Sequence, residues 1–585
     1  MFENKKHVHV LRTYHRRSIF GGFVGIVLIF SALMCRMAFL MVVQSDHFGE
    51  AAKEVQERER SIKAERGRLF DRNGKVIASN KSVCTVSVIH NQIKEPNKVV
   101  YVLSHVLKKP EEEIKKRVEK KSSIERIATN VDKKVADLLR SYALEGVMVD
   151  EDYKRYYPYD SLASKVIGFT GSDNQGIIGL EVKYDSVLQG KPGKILTLTN
   201  ARGEEIANVS EQRIEPVAGN DLYLSLDVTI QKYAQQIAEK VRIQKEAKEI
   251  KVIILNPQNG EIYAMVNEPE FSLNDPFALP KSYTNKTEKE KNQYRNNLWR
   301  NGCVSDTYEP GSIFKIITAT AALSEGKVKV EDTFFCPGYK IVEDRRIRCH
   351  KIAGHGQETF REGIMNSCNP VFMEIAQRTG VDAMYRWYKK LGLFEKTGID
   401  LPGEANSIFH KKDKVGEVEL ATMAFGQSIQ VTPMQLLRAA CAIVNGGRLI
   451  TPHVGVKIVK AKQGIEQNLS YQEKKDVVSQ EVSVTMRELL EAVVAEGGGK
   501  NAYIEGYRMG GKTATSEKLP RSSKKYISSF MGFAPAQEPQ VMAIILIDEP
   551  KGLYYGGTIA APAIREIYEN ILPYLEIPQV YASFE

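Results

Sequence analysis

No low-complexity tract and no short repeat interrupts the chain, so it is neither a repeat array nor a disordered linker. No zinc-finger spacing or aromatic-basic signature accompanies the net charge of +10, and acidic residues are interspersed with the basic ones. The surplus therefore does not point to nucleic acid, and an anionic surface or substrate suits it as well. Only one long uncharged apolar stretch exists. With 26% charged and 43% hydrophobic residues, most of the chain is expected to fold in water. At 585 residues it is too long for one core, so two or more domains are expected.

The single apolar stretch is SIFGGFVGIVLIFSALMC, Ser18 to Cys35, which continues after Arg36 as MAFLMVV. At ~1.5 Å per residue this nearly spans a ~30 Å hydrocarbon core, whereas the apolar part of a cleaved signal holds only about 7–15 residues. No small-residue cleavage site follows, so retention as an anchor over residues 18–43 is expected. Lys5, Lys6, Arg12, Arg16 and Arg17 all precede it, which places residues 1–17 in the cytoplasm and the rest outside. Arg36 either snorkels to the outer interface or meets a partner helix.

Beyond the anchor, VQERERSIKAERGRLFDRNGKVIA combines a charged helical stretch with a hairpin signal at Asn73-Gly74. Residues 91–144 are rich in lysine and glutamate with helical periodicity, reading as a solvated face. A boundary is expected near Pro216, leaving residues 44–215 as one region and 216–585 as another. In the second region KVIILNP, EIYAMVNE, ISSFMGFAPA and VMAIILIDE read as strands, with helices around 312–323, 360–379 and 432–442. Two early strands, a helical middle and late strands imply an α+β fold, an antiparallel sheet with helices segregated from it.

Chemistry begins at YEPGSIFKIITATAAL. Ser312 falls in the first turn of an apolar helix, and Lys315, three residues on, shares its face. To accept the serine proton near neutrality the lysine must fall by roughly 3 pKa units, through burial or a second cation. Ser522 and Lys525 repeat the spacing in a polar segment, so context must decide. MNSCNPVF supplies Ser367, able to relay a proton, and Asn369, able to position a carbonyl or the lysine. Ser272 and Asn274 repeat that pattern in a loop-like stretch. A literal Lys-Thr-Gly at Lys396–Gly398 lies between a helix end and a turn, whereas Lys512 in GGKTATSEK follows two glycines and leads into a strand. Alternation puts Thr513 and Thr515 opposite Lys512 and Ala514. Lys512 is thus the expected second cation.

The ordered set SIFK, SCN and KTAT resembles the active-site boxes of penicillin-binding proteins and serine β-lactamases. Together with ERGRLFDRNGKVIA, RYYPYDSLASKVIGFTG, GLEVKYDSVLQG, GQSIQVTPMQL and YYGGTIAAP it resembles monofunctional, class B penicillin-binding proteins of the cell-division and sporulation type. The resemblance implies a peptidoglycan D,D-transpeptidase anchored in the cytoplasmic membrane, with an elongated non-catalytic pedestal or dimerisation domain before a transpeptidase domain that includes an all-helical part. It implies Ser312 as nucleophile toward D-Ala-D-Ala stem peptides and β-lactams, Lys315 as its base, and Ser367, Asn369 and Lys512 as catalytic partners. Thr513 and Thr515 would bind substrate, and the N–H groups of Ser312 and Thr515 would form the oxyanion hole. No cofactor is required for the acyl transfer, and a separate polymerase of the SEDS family would supply glycan strands. A β-lactamase, a β-lactam sensor, or a catalytically weak scaffold suggested by Ala514 are the alternatives on the same fold.

Seven cysteines remain to be placed. Cys35 lies in the anchor, Cys84 in the pedestal, Cys303 in the catalytic domain and Cys441 in an apolar helix. Cys336, Cys349, His350 and His355 fall close together in CPGYKIVEDRRIRCHKIAGHGQ, and Cys368 follows in the second box. Cys336, Cys349, His355 and Cys368 are ligand types suited to a structural zinc ion. A Cys336–Cys349 disulfide and free buried thiols are the alternative readings.

Overall fold

In a computed structural model, which describes residues 5–48, 57–122, 124–198, 212–461 and 463–580, the chain alternates between two units. The first comprises residues up to Lys63, then Ser82–Asp152 and Pro192–Pro216; the second takes Ala64–Lys81, Tyr153–Lys191 and everything from Val217.

The first unit begins with a helix over Lys5–Ala38, continued by a wider turn over Phe39–Val43. Tyr14–Val43 is long and apolar enough to cross a membrane, and none of its most apolar stretch is buried within the chain. ERERSI, expected to be helical, is instead the strand Glu57–Ile62, paired with Gly193–Leu198; the start of that charged stretch, 55–56, lies outside the described residues. Helices Pro96–Leu107, Glu111–Val118 and Lys133–Ser141 bury Leu103, Ile114, Val118, Ala136 and Leu139. Between them Glu125–Val131 forms a strand where helical periodicity was expected. Its Ile127 and Val131 are buried and β-branched, and pairing with residues 84–88 decides the conformation where local propensity does not.

In the second unit the Asn73-Gly74 turn closes the expected hairpin between Leu69–Phe70 and the strand beginning at Val76. The polar ends of three quoted stretches meet beneath it. Arg66, 1% exposed, donates to Glu181 at 2.6 Å, to Asp185 at 2.7 Å and to the carbonyl of Asn174 at 2.8 Å. Arg155 reaches the other Glu181 oxygen at 2.7 Å, and the Tyr157 hydroxyl donates to the same oxygen at 3.2 Å.

The remainder of this unit is built on a sheet. Asp227 caps helix α1 (Val228–Gln244) by accepting from Thr229 and Ile230. Strands β1 (Glu249–Leu255) and β2 (Ile262–Glu268) follow, then helix α2 (Lys315–Ser324). A small hairpin, β3 (Tyr339–Val342) and β4 (Arg345–Arg348), precedes helices α3 (Phe360–Met365) and α4 (Asn369–Thr379). Strands β5 (Gly510–Glu517), β6 (Tyr526–Ala534) and β7 (Val541–Asp548) and helix α5 (Gly556–Tyr574) complete it. The five large strands run in the order β2-β1-β7-β6-β5, all antiparallel, so β5 is an edge.

Both faces of this sheet are covered, which is why the run VMAIILI before Asp548 is apolar throughout. Val252, Ile254, Ile545 and Ile547 face α1 and α5, while Ile253, Ile544 and Leu546 face the helical middle around α2 and α4. The expected single helix over 360–379 is two helices, interrupted at 366–368, where Ser367 adopts φ 52°. That break carries the second box.

The Arg66–Glu181–Arg155 cluster is buried and hydrogen-bonded, so removing one member strands the others. Glu181→Ala should lower unfolding free energy by about 3–5 kcal/mol in denaturant titration, far more than Lys94→Ala at an exposed ion pair.

Candidate active site

Glu309, Pro310 and Gly311 bring the chain into a single 3-10 turn, Gly311–Phe314, that runs directly into α2. Gly311 has φ 56°, a left-handed conformation that favours glycine, and its N–H donates to the carbonyl of Gly426 in the GQS stretch. Ser312 emerges half-buried from this turn, and one helical turn on Lys315 is fully buried.

The Lys315 amine donates to the Ser367 carbonyl at 2.7 Å, to the Ser367 hydroxyl at 3.2 Å and to Asn369 Oδ1 at 2.7 Å. The left-handed Ser367 turns its carbonyl to this bond, a strained conformation of the kind that collects at functional sites. Burial pulls Lys315 down from the ordinary lysine value to about 8, against the opposing pull of Cys368, Cys349 and Glu358.

Lys512 is 1% exposed on β5, and among the described residues its amine makes one hydrogen bond, to the Thr513 carbonyl at 3.3 Å. Burial first, and then the charge of Lys315, hold it well below the usual lysine range. Two buried ammonium groups so placed oppose each other, and a bound anion is what would let Lys512 stay charged. Lys512, Ala514 and Ser516 are buried on one face while Thr513 and Thr515 are more open on the other, as alternation requires. Thr515 accepts from the N–H of Gly556, the first residue of α5.

The Ala514 methyl meets the nucleophile turn at its barest point. A Cβ placed on Gly311 would lie 3.5 Å from Ala514 Cβ and 2.4 Å from the unpaired Ser516 hydroxyl, so the glycine makes the room that the alanine uses.

The competing copies lie elsewhere. Lys396 is exposed, and Thr397 and Gly398 are tied to Glu404 in a loop. Ser522 is exposed in a short turn, and Lys525 pairs with Glu549. Ser272 and Asn274 staple a loop to Asp160 and Tyr157.

Cys336, Cys349, His355 and Cys368 are brought together, with one donor atom from each within 4.8 Å of the others, and no cysteine is in a disulfide. Cys349 is drawn strongly toward thiolate, first by the Cys368 thiol, then by His350 and the N–H groups of Asn369 and Lys351. Cys368 moves the opposite way because it gives that hydrogen bond and is buried. His350 stands outside the four, its ring 5.2 Å from that of His355.

Sequence reasoning missed several supports. Buried Glu309 accepts from the Ser428 N–H at 2.9 Å and pairs with Arg521 at 3.1 Å, tying the nucleophile turn to the β5–β6 connection. Its only sequence signal was its place just before Pro310. Glu358 lies 3.7 Å from His355 with its Oε2 lacking any hydrogen bond; the i, i+3 spacing was the available clue.

The penicillin binding protein transpeptidase domain family matches residues 250–569, and the penicillin-binding protein dimerisation domain family matches residues 61–224. Stage V sporulation protein D of Bacillus subtilis is 38% identical over 97% of this chain and 86% of its own length. Peptidoglycan D,D-transpeptidase FtsI of Escherichia coli is 26% identical over 94% of this chain and 91% of its own. A crystal structure of a peptidoglycan synthetase from Bifidobacterium adolescentis covers 91% of this chain and 99% of that one, with a TM-score of 0.72 at 22% identity.

The contact between Gly311 and Ala514 predicts an asymmetry. Gly311→Ala should cost about 1–3 kcal/mol of stability and slow active-site acylation, whereas Ala514→Gly should change the acylation rate less than about a hundredfold. Stopped-flow acylation and thermal melting of both variants check this; equal effects would show that the two surfaces are not in register.

Proposed function

The chain belongs to the penicillin-binding proteins and is a peptidoglycan D,D-transpeptidase, and we propose that its acyl transfer uses Ser312, Lys315, Ser367, Asn369, Lys512, Thr513 and Thr515. One observation carries this assignment: Lys315 is fully buried, joined to both polar residues of the second box, and lowered to about 8.

In this reading the stem peptide's terminal carboxylate lies along the edge of β5, between the Lys512 amine and the hydroxyls of Thr513 and Thr515. That anion favours the charged form of Lys512, whose repulsion then favours neutral Lys315. Ser312 Oγ attacks the penultimate D-alanine carbonyl and gives its proton to Lys315, directly or through Ser367. The N–H groups of Ser312 and Thr515 hold the oxyanion, each worth about 2.7–4 kcal/mol in comparable sites. Collapse breaks the peptide bond, and the departing D-alanine amine takes the proton. An acceptor amine then attacks the ester, and its proton returns to Ser312 by the same route. A β-lactam ring enters at the first step and acylates Ser312.

Acyl transfer needs no cofactor, yet the four-residue cluster fits a structural zinc. One donor atom from each residue already lies within 4.8 Å of the others, and three thiols with one imidazole are a donor set suited to that ion. Cys336, Cys349, His355 and Cys368 would hold the ion, with Glu358 orienting His355. It would fix the backbone on which Ser367 and Asn369 stand.

For the whole chain the proposal is a tail at 1–17 in the cytoplasm, an anchor at 18–43, a pedestal at 44–215 and a transpeptidase domain at 216–585 outside the membrane. A glycan polymerase of the SEDS family is its proposed partner. The 38% identity to a sporulation protein, against 26% to the FtsI protein, supports a role in sporulation.

Ser312→Ala and Lys512→Ala should abolish covalent labelling by a fluorescent penicillin, while Lys396→Ala and Ser522→Ala should not. Because Lys315 must be neutral to act as base, the acylation rate should rise with pH through about 8 and then level off, not climb toward the ordinary lysine value. A rate flat from pH 6 to 10 would remove Lys315 from the role.

The purified protein should carry about one zinc per chain, and chelation should lower both its melting temperature and its acylation rate. Full stability without metal, or a Cys336–Cys349 disulfide in mass spectrometry, overturns the zinc assignment.

A further inference from the structure

The β3–β4 hairpin stands beside the second box, and one of its faces is unusually equipped. Cross-strand pairing sets Tyr339 opposite Arg348 and Ile341 opposite Arg346, which puts these four side chains on one face. The other face is anchored: Val342 is buried among Met373, Ala421 and Phe425, and Lys340 pairs with Glu374. The base is anchored too, since Cys336 and Cys349 bracket the hairpin and the Cys349 N–H donates to the Gly338 carbonyl at 2.8 Å.

On the outer face the Arg346 guanidinium is stacked 3.7 Å above the Tyr339 ring, and Ile341 is 62% exposed. Stacking fixes one guanidinium in place before any ligand arrives. Among the described residues no carboxylate pairs with Arg346 or Arg348; the acidic residues of the hairpin, Glu343 and Asp344, sit in its turn. The two arginines lie about 7 Å apart along the strand. The strand joins the active site directly, because Asn369 Nδ2 donates to the Arg348 carbonyl at 3.3 Å while Asn369 Oδ1 accepts from Lys315.

Resting on the transpeptidase reading above, the direction of proton flow says which substrate strand passes here. The donor peptide's carboxylate is taken by the β5 side of the groove. The acceptor amine must give its proton to Lys315 or Ser367, so the acceptor chain approaches across the second box, and the first charged surface beyond Asn369 is β4. A stem peptide carries free backbone carboxylates close to its reacting amine, and a guanidinium binds a carboxylate through two parallel hydrogen bonds. We propose that Arg346 and Arg348 form the acceptor subsite, holding the incoming stem peptide by a free backbone carboxylate and setting selectivity for unamidated acceptors.

The test uses the full-length enzyme in detergent, a thioester donor, and synthetic acceptor peptides that carry the side-chain amine with the adjoining backbone carboxylate either free or amidated. The native enzyme should prefer the free acid by about tenfold or more, through KM. Arg346→Ala/Arg348→Ala should abolish the preference by raising KM for the free acid, with kcat within about twofold, and Arg348→Lys should recover part of it. Penicillin acylation, which needs no acceptor, should be unchanged in the double variant; its loss would show that the arginines act through Asn369 and Lys315 and would overturn the subsite, whereas the active-site reading itself stands or falls on Ser312→Ala and Lys512→Ala. An unchanged preference in the double variant overturns the proposal, as does an equal loss for both acceptors. So does unchanged acceptor kinetics with weakened binding to vesicles of anionic lipid, which would give the arginines to the membrane surface.

Discussion

A buried ammonium must have acceptors, and Lys315 can offer only three hydrogens to find them. It spends them on the Ser367 carbonyl, the Ser367 hydroxyl and Asn369 Oδ1. Those bonds lock α2 to the break between α3 and α4, so the nucleophile turn and the second box cannot move independently. They also explain why Ser367 tolerates a left-handed backbone, because a relaxed Ser367 would turn its carbonyl away from the amine. Lys512 adds the opposing constraint. Burial first, and then the charge of the first lysine, hold it below the usual lysine range, so an anion bound in the groove would favour its charged form.

Much of this was legible because chemistry and periodicity point the same way at the boxes. Gly311 and Ser312 announce a turn into an apolar helix, and KTAT runs into an alternating strand. The decoys at Lys396 and Ser522 were separable because both sit among turn and polar residues. What stayed hidden depends on partners distant in sequence. ERIATNV and ERERSI carry too much charge to look like strands, and only their pairing with residues 84–88 and 193–198 makes them so. Glu309 and Arg521 are 212 residues apart, and nothing local marks either as half of an ion pair. Arg345, Arg346 and Arg348 are close neighbours in sequence, and only cross-strand register separates two of them onto one face.

The cysteine cluster and the hairpin are one construction. Cys336 and Cys349 stand at the feet of the hairpin, Cys368 sits inside the second box, and His355 lies on the loop between. A group held by all four donors would therefore tie the position of Asn369 to that of β4. The Asn369 amide and a surface strand thus stand on one cluster, although they belong to different segments of the chain.

The salt-bridged knot around Glu181 bears on how the chain folds. The bond from Arg66 to Glu181 closes a span of 115 residues, and the segment 82–152 lies inside that span as an excursion that leaves the second unit and returns to it. Loop-closure entropy opposes such a contact until the excursion is already compact, so local structure in 82–152 must come first. During synthesis Arg66 emerges long before its acidic partners, and it must remain hydrated until they follow. The knot is thus a late fastening, one that reports on whether the inserted segment has folded.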